Sequence, residues 1–310
     1  MSHNVETMAY ANERPWHGLG VNVSADLTAS QMMREAGLDW TVSLQDTYTR
    51  VGDQEVKLDK KALVRDSDGS VLDVVGDNWN PLQNEDAFSF FKDFVDAGQM
   101  TMETAGSLQN GRLVWGLAKV GQSFEVFGGD KVDAYLLFSN PHKYGKSIDI
   151  RFTPIRVVCN NTLDLSLGQQ VANSFKQGHA GKFDPEMAKA TLGIVSDKMG
   201  TFKEMAEFLG KRRFMKDTLG DYFNEVFPVT GKGKKEVSRN AKRALEVVEA
   251  QPGAKFAAGS WWSGFNAVTY MYDHELGRTE DSRFSDSWFG TGRANKVKAL
   301  EKAIEYAEAA

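Results

Sequence analysis

Between residues 101 and 158 apolar side chains recur at every second position, whereas from Asp184 onward they recur at every third or fourth. The first period belongs to strands half buried in a sheet, the second to helices with one apolar stripe. A chain that switches once between them fits neither a helical bundle nor an alternating doubly wound sheet. In the first region RLVWGLAKV puts Leu113, Trp115 and Leu117 on one face, and SIDIRF sets Ile148, Ile150 and Phe152 opposite Asp149 and Arg151. In the second, DPEMAKATLGIVSDKMGTFKEMAEFLGKRRF reads as one long or kinked helix with Asp184 at its N-cap and Pro185 in its first turn. Further helices are expected near 234–250, 260–275 and 293–309. The expectation is an α+β fold, with an antiparallel β-rich amino-terminal half (1–176) and a helical carboxyl-terminal half (177–310) packed on it as one continuous unit.

Ahead of the sheet region, Thr28 with Gln31 three residues later has the spacing of a capping box, and Gly37 stands where a left-handed helix end would fall. Trp40 to Arg50 alternates as a strand, and ALVRDSDGSVLDVVG predicts two strands around a Ser-Asp-Gly turn. NPLQNEDAFSFFKDFVDAGQ predicts an amphipathic helix with Asn84 as N-cap and Glu85 and Asp86 in its first turn.

Charge is distributed unevenly. The 310 residues carry a net charge of −5, but residues 1–170 hold 15 Lys+Arg against 23 Asp+Glu, while 171–310 hold 22 against 19. Phosphate binding requires clustered positive charge, so any nucleic-acid surface must lie in local clusters. GKGKKEVSRNAKRAL supplies Lys232, Lys234, Lys235, Arg239, Lys242 and Arg243 against the single acid Glu236. On a helix, 235, 239, 242 and 243 share a face. Lys211, Arg212, Arg213 and Lys216 form a second cluster, and Arg293, Lys296 and Lys298 a third. These are either solvated helix faces or a phosphate track. Arg112, Arg151 and Arg156 are expected to project from the sheet, as solvated charges or as part of an anion surface.

Catalytic signals are sparse. The only cysteine, Cys159, alternates with Ile155 and Val157 and reads as a small core hydrophobe, with Asn161 as the N-cap that starts a helix over TLDLSL. As a nucleophile it would need a base such as His142 or His17. GKGKKEVS lacks the spacing and hydroxyl of a phosphate loop, the paired glycines of HGLGVNVS and FGTGRANK read as turns, and five histidines with one cysteine make no conventional zinc site. No cofactor is expected. One cysteine, no apolar run near the roughly 20 residues of a membrane span, and a polar amino terminus predict a cytosolic protein.

Several stretches together resemble the phage/plasmid-like proteins that carry domain of unknown function 932: RPWHGLG, VVGDNWNPLQNEDAFSFF, ETAGSLQNGRLVW, LLFSNPH, TPIRVVCNNTLDLSL and, more weakly, GFNAVTYMYDHELGR. The resemblance implies a mobile-element protein in a bacterial host cell and supplies no catalytic residue. The leading expectation is a homo-oligomeric protein of phage DNA metabolism that binds or anneals single-stranded DNA through the basic helices. The alternatives are a structural or host-interaction protein, with Trp261 and Trp262 as an exposed anchor, and an enzyme using Cys159, His142 or the Trp16-His17 turn.

Overall fold

A computed structural model describes residues 5–12, 20–156, 161–162, 174–192, 195–229 and 238–310. Cys159, Trp16, His17, Lys232, Lys234 and Lys235 lie outside the described residues. Two compact units divide the chain: 1–121, 135–152 and 174–193 form the first, and 122–134, 153–173 and 194–310 the second.

The chain of the first unit opens with β1 (Val5–Ala11) and β2 (Val21–Val23), which pair in parallel. α1 (Ala29–Glu35) starts at the expected capping box, in which Gln31 N–H donates to the Thr28 hydroxyl (3.2 Å) and Thr28 N–H to the Gln31 side chain (2.9 Å). Gly37 follows in the left-handed region at φ 67°, where a side chain would be strained. β3 (Val42–Val51), β4 (Gln54–Arg65) and β5 (Val71–Val75) then form an antiparallel sheet of their own, around Val42, Leu63 and Leu72. α2 (Asn84–Asp96) begins at Asn84 rather than being capped by it. The Asn84 amide is turned inward and donates to the Leu38 carbonyl at 3.0 Å.

The larger sheet continues with β6 (Met100–Leu108), β7 (Leu113–Val126), β8 (Asp130–Pro141), β9 (Ile148–Arg156), β10 (Asn161–Thr162) and β11 (Ser174–Gln177). Its strand order is β10-β9-β8-β7-β6-β1-β2, with β11 pairing β9, so Asn161, expected to cap a helix, instead lies in a strand opposite Arg156. The α+β expectation holds, with strands in the amino-terminal half and helices mostly in the carboxyl-terminal half. Two contacts show how the sheet's faces are filled. Gly106 lies opposite Trp115 across β6 and β7, and its missing side chain is the space the buried indole occupies. On the α2 side Phe90 meets the rings of Phe91, Phe94, Phe138 and Phe183 at centroid separations of 5.6 to 6.4 Å.

The expected long helix is two, α3 (Pro185–Leu192) and α4 (Val195–Lys211), and Asp184 does cap the first, accepting from Met187 N–H at 2.9 Å. In the second unit α4 is followed by α5 (Lys216–Val226), α6 (Arg239–Ala250), α7 (Trp261–Tyr270), a π-helical turn (Met271–Glu275), α8 (Glu280–Phe289) and α9 (Thr291–Glu308). α7 is buried on every side from Trp261 to Thr269, and α4, α6 and α9 pack around it. The polar groups it carries inward bond locally: Asn266 donates to the Trp262 carbonyl (2.8 Å) and Thr269 to the Asn266 carbonyl (2.9 Å). Trp261 and Trp262 are therefore core rather than an exposed anchor.

The wider π turn aims Asp273 inward, where it meets Lys296 of α9. Both are buried, at 2% and 0% side-chain exposure, with Nζ to Oδ1 at 2.9 Å. Ser287 of α8 accepts from the same Nζ at 2.9 Å and donates to Asp273. The lysine that the sequence placed in a surface cluster thus ties three elements together from inside. A buried pair gains little over apolar residues of the same volume, but removing one partner strands a charge. Lys296→Met alone should cost about 3 to 5 kcal/mol in urea unfolding, and the double variant with Asp273→Leu markedly less.

Candidate nucleic-acid interface

Among the described residues of the second unit, cations gather where α4 ends. Arg213 and Ser260 form an antiparallel bridge. Phe214 N–H donates to the Gly259 carbonyl at 3.2 Å and Trp261 N–H to the Arg212 carbonyl at 3.0 Å. These bonds hold the run Lys211 to Lys216 against the turn 251–260, which carries Lys255. That turn is built from the backbone outward. Ala254 N–H donates to Gln251 C=O (3.0 Å), Phe256 N–H to Gly253 C=O (3.0 Å) and Ser260 N–H to Ala257 C=O (3.2 Å), while Gly253, Ala257 and Gly259 take φ of 77°, 62° and 75°. The Arg213 guanidinium donates into it at the Ala258 carbonyl.

A third segment packs against the end of α4. At the β7–β8 turn Phe127 adopts φ 49°, and its ring fills the notch over Gly210, where any Cβ would be driven into the ring. The same turn is anchored by Trp262, whose Nε1 donates to buried Asp130 at 3.0 Å.

On this frame Lys211, Arg212, Arg213, Lys216 and Lys255 are exposed. Lys211 faces Glu207 at 3.5 Å. Arg212, Lys216 and Lys255 meet no carboxylate among the described residues. Arg212 lies over the Phe208 ring at 5.2 Å and Lys255 over Phe256 at 5.5 Å. Met215, 72% exposed, stands between the cations. Exposed cations without a carboxylate partner, two of them over half-buried rings, are chemistry suited to the phosphates of a nucleic-acid strand.

The residues singled out by sequence are placed as follows. α6 starts after Ser238, whose hydroxyl accepts from Ala241 N–H at 3.0 Å, so Arg239 and Lys242 sit on its exposed first turns. Arg243 is committed elsewhere, forked onto Glu275 at 2.9 and 2.8 Å and reaching Glu246 at 2.7 Å. Arg112 falls in the β6–β7 turn rather than on a strand. Arg151 is buried in β9 beside Asp149, Nη1 to Oδ2 at 3.0 Å, because residues two apart on a strand share a face. Of Arg156 only the backbone is described. Lys255 and Met215 went unnoticed in the sequence, since neither belongs to a basic run that includes the other.

His142 is buried. Asn84 spends its amide N–H groups on the Leu38 and Trp40 carbonyls, so its Oδ1 accepts and His142 Nε2, at 3.0 Å, must donate. That fixes the tautomer and leaves Nδ1 without a protein partner. Burial, reinforced by neighbouring His179, pushes this imidazole down from 6.5 to about 3. It is a neutral core group. Among the described residues no group of three or more His, Cys, Asp or Glu could hold a metal ion, and no helix is long and apolar enough to cross a membrane.

Compared with known families, residues 71–299 match the model of a domain of unknown function, DUF932. The chain belongs to the DUF932 family. No curated protein and no solved structure matches it. The matched DUF932 region takes in α2, most of the larger sheet and every element of the basic corner.

Two outcomes follow. Gly210→Ala should destabilise the protein by about 1 to 3 kcal/mol through overpacking against Phe127, seen as a lower urea midpoint, and Phe127→Leu in the same chain should recover part of the loss. Because the His142 pKa is lower folded than unfolded, its contribution is complete above about pH 6.5 and is lost as pH falls from there toward 3. Urea midpoints measured between pH 7 and 4 should therefore fall less steeply in His142→Gln than in the wild type.

Proposed function

We propose that this protein binds single-stranded nucleic acid through the basic corner of its helical unit, with Arg212, Lys216 and Lys255 contacting phosphates. Phe208 and Phe256 back those cations, and Arg239 and Lys242 add exposed charge at the opposite end of α6 from the turn that carries Lys255. The observation that carries the reading is the juxtaposition of the KRRFMK run with Lys255, held by backbone bonds in a geometry that neither segment sets alone. Single strands are favoured over duplex because the cations are interleaved with aromatic rings, and an exposed Met215 offers an apolar contact to an unstacked base. The likeness of the sequence motifs to phage/plasmid-like proteins supports a place in DNA replication or recombination of a mobile element, with single-strand binding or annealing as the activity. No step here requires a cofactor or a nucleophile.

The test is fluorescence anisotropy of a labelled single-stranded oligonucleotide across a salt series, with the matched duplex as control. Affinity should fall steeply with salt. Replacing Arg212, Lys216 and Lys255 together by alanine should lower the slope of log affinity against log salt by about 0.7 for each phosphate that is no longer neutralised. Unchanged binding in that variant would remove this corner as the site, and no binding by the wild type at low salt would sink the function.

A further inference from the structure

The small sheet has the order β3-β4-β5, so among the described residues no strand pairs with the outer edge of β3. Strand edges in native proteins are ordinarily blunted by charged side chains, proline, bulges, short length or cover, because a row of unpaired N–H and C=O groups invites another strand. β3 has ten residues and contains no proline. The register irregularity of the ribbon falls on β4, where 58, 59 and 60 oppose the single residue Thr47. β5 reaches only the pairs from Lys61 to Val64, so the ribbon from Thr47 to Lys60 extends past the third strand. Tyr48 and Val51 on it are 57% and 64% exposed.

Hydrogen-bond parity shows which residues face outward. The turn Gly52-Asp53 closes on the pair Val51–Gln54, and the closing pair of a two-residue hairpin exchanges both its bonds. Alternation from there leaves Arg50, Tyr48 and Asp46 with N–H and C=O turned away from β4. The opposite end of the strand agrees. The Gln83 side chain accepts from Val42 N–H and donates to Val42 C=O, both at 3.0 Å, which satisfies the next member of the same outward set.

We propose that β3 is a homodimer seam, in which the edges of two copies pair antiparallel about a two-fold axis at Tyr48. Parity restricts an isologous pairing to registers that oppose even-numbered residues. Centring on Asp46 would oppose two carboxylates and centring on Arg50 two guanidinium groups, while centring on Thr47 or Thr49 would set Asp46 or Arg50 against an uncharged Tyr48. Centring on Tyr48 sets Asp46 against Arg50 of the second copy, twice. The neighbouring strands extend this: Lys61 lies opposite Asp46 and Glu55 opposite Arg50. Each row across the four strands would read Lys61, Asp46, Arg50, Glu55, alternating in sign throughout. Thr47 would face Thr49, and the two Tyr48 side chains would meet at the axis, a favourable cross-strand pair. The seam is independent of the basic corner and uses no residue of it.

The experiment is cysteine cross-linking at three edge positions in the full chain with Cys159→Ser. Directly opposed residues of a hydrogen-bonded pair have Cα atoms about 5.5 Å apart, within disulfide reach. Mild oxidation should convert Tyr48→Cys to a covalent dimer. Thr47→Cys and Thr49→Cys should stay monomeric separately but cross-link when mixed, since 47 opposes 49. Light scattering supplies the second arm. Wild type should reach the mass of two chains at rising concentration, and Tyr48→Pro, which removes an outward donor at an exposed position, should remain at one. A wild type that is monomeric throughout, a Tyr48→Pro that still dimerises, or equal cross-linking at all three positions would overturn the seam.

Discussion

Helix α7 has no wet face, and much of the helical unit follows from covering it. A ten-residue helix carrying Trp261, Trp262, Phe265 and Val268 cannot be left against water on any side, so α4, α6 and α9 close around it. Its first residues also decide what happens at the surface. Trp261 takes the Arg212 carbonyl with its backbone N–H, and Trp262 takes Asp130 with its indole, so the ends of α4 and of the β7–β8 turn are both fixed from the core outward. The cations of the corner are thereby presented by a frame that has already met its own hydrogen-bonding needs. Of these cations, Arg212, Lys216 and Lys255 meet no carboxylate among the described residues.

Local signals were readable wherever a local rule decided the outcome. The Thr28 capping box, the Asp184 cap, the strand period from 101 onward and the Ser-Asp-Gly turn all appear as expected, because each depends on residues within three or four positions of one another. α5 and α8 were not legible. Both are short, with polar residues interrupting the apolar stripe, and tertiary contact rather than periodicity stabilises them. Asn84 shows the opposite failure, in which a residue with good capping chemistry serves a distant carbonyl instead.

The candidate site was legible in composition and not in arrangement. Sequence marks KRRFMK as basic, but only the bridge between Arg213 and Ser260 brings Lys255 to it from more than forty positions away. Burial decides the charges in the other direction: Lys296 and Arg151 look like surface cations in the sequence and lie inside the protein beside carboxylates. A charge run therefore tells how much positive charge a segment holds, while its partners determine how much remains available.

The interleaving of the two units along the chain has a consequence for how the protein is made. The first unit is assembled from three separated segments, the last being 174–193, and two segments of the second unit, 122–134 and 153–173, are synthesised before it. On a ribosome the amino-terminal unit therefore cannot complete its fold until well past the midpoint of translation, and during that interval strands destined for the sheet emerge without all their neighbours. No single cut in the chain yields either unit whole. A truncation intended to isolate the helices would leave behind the β7–β8 turn whose Phe127 fits over Gly210, so the protein is one translational unit even where its contacts divide it in two.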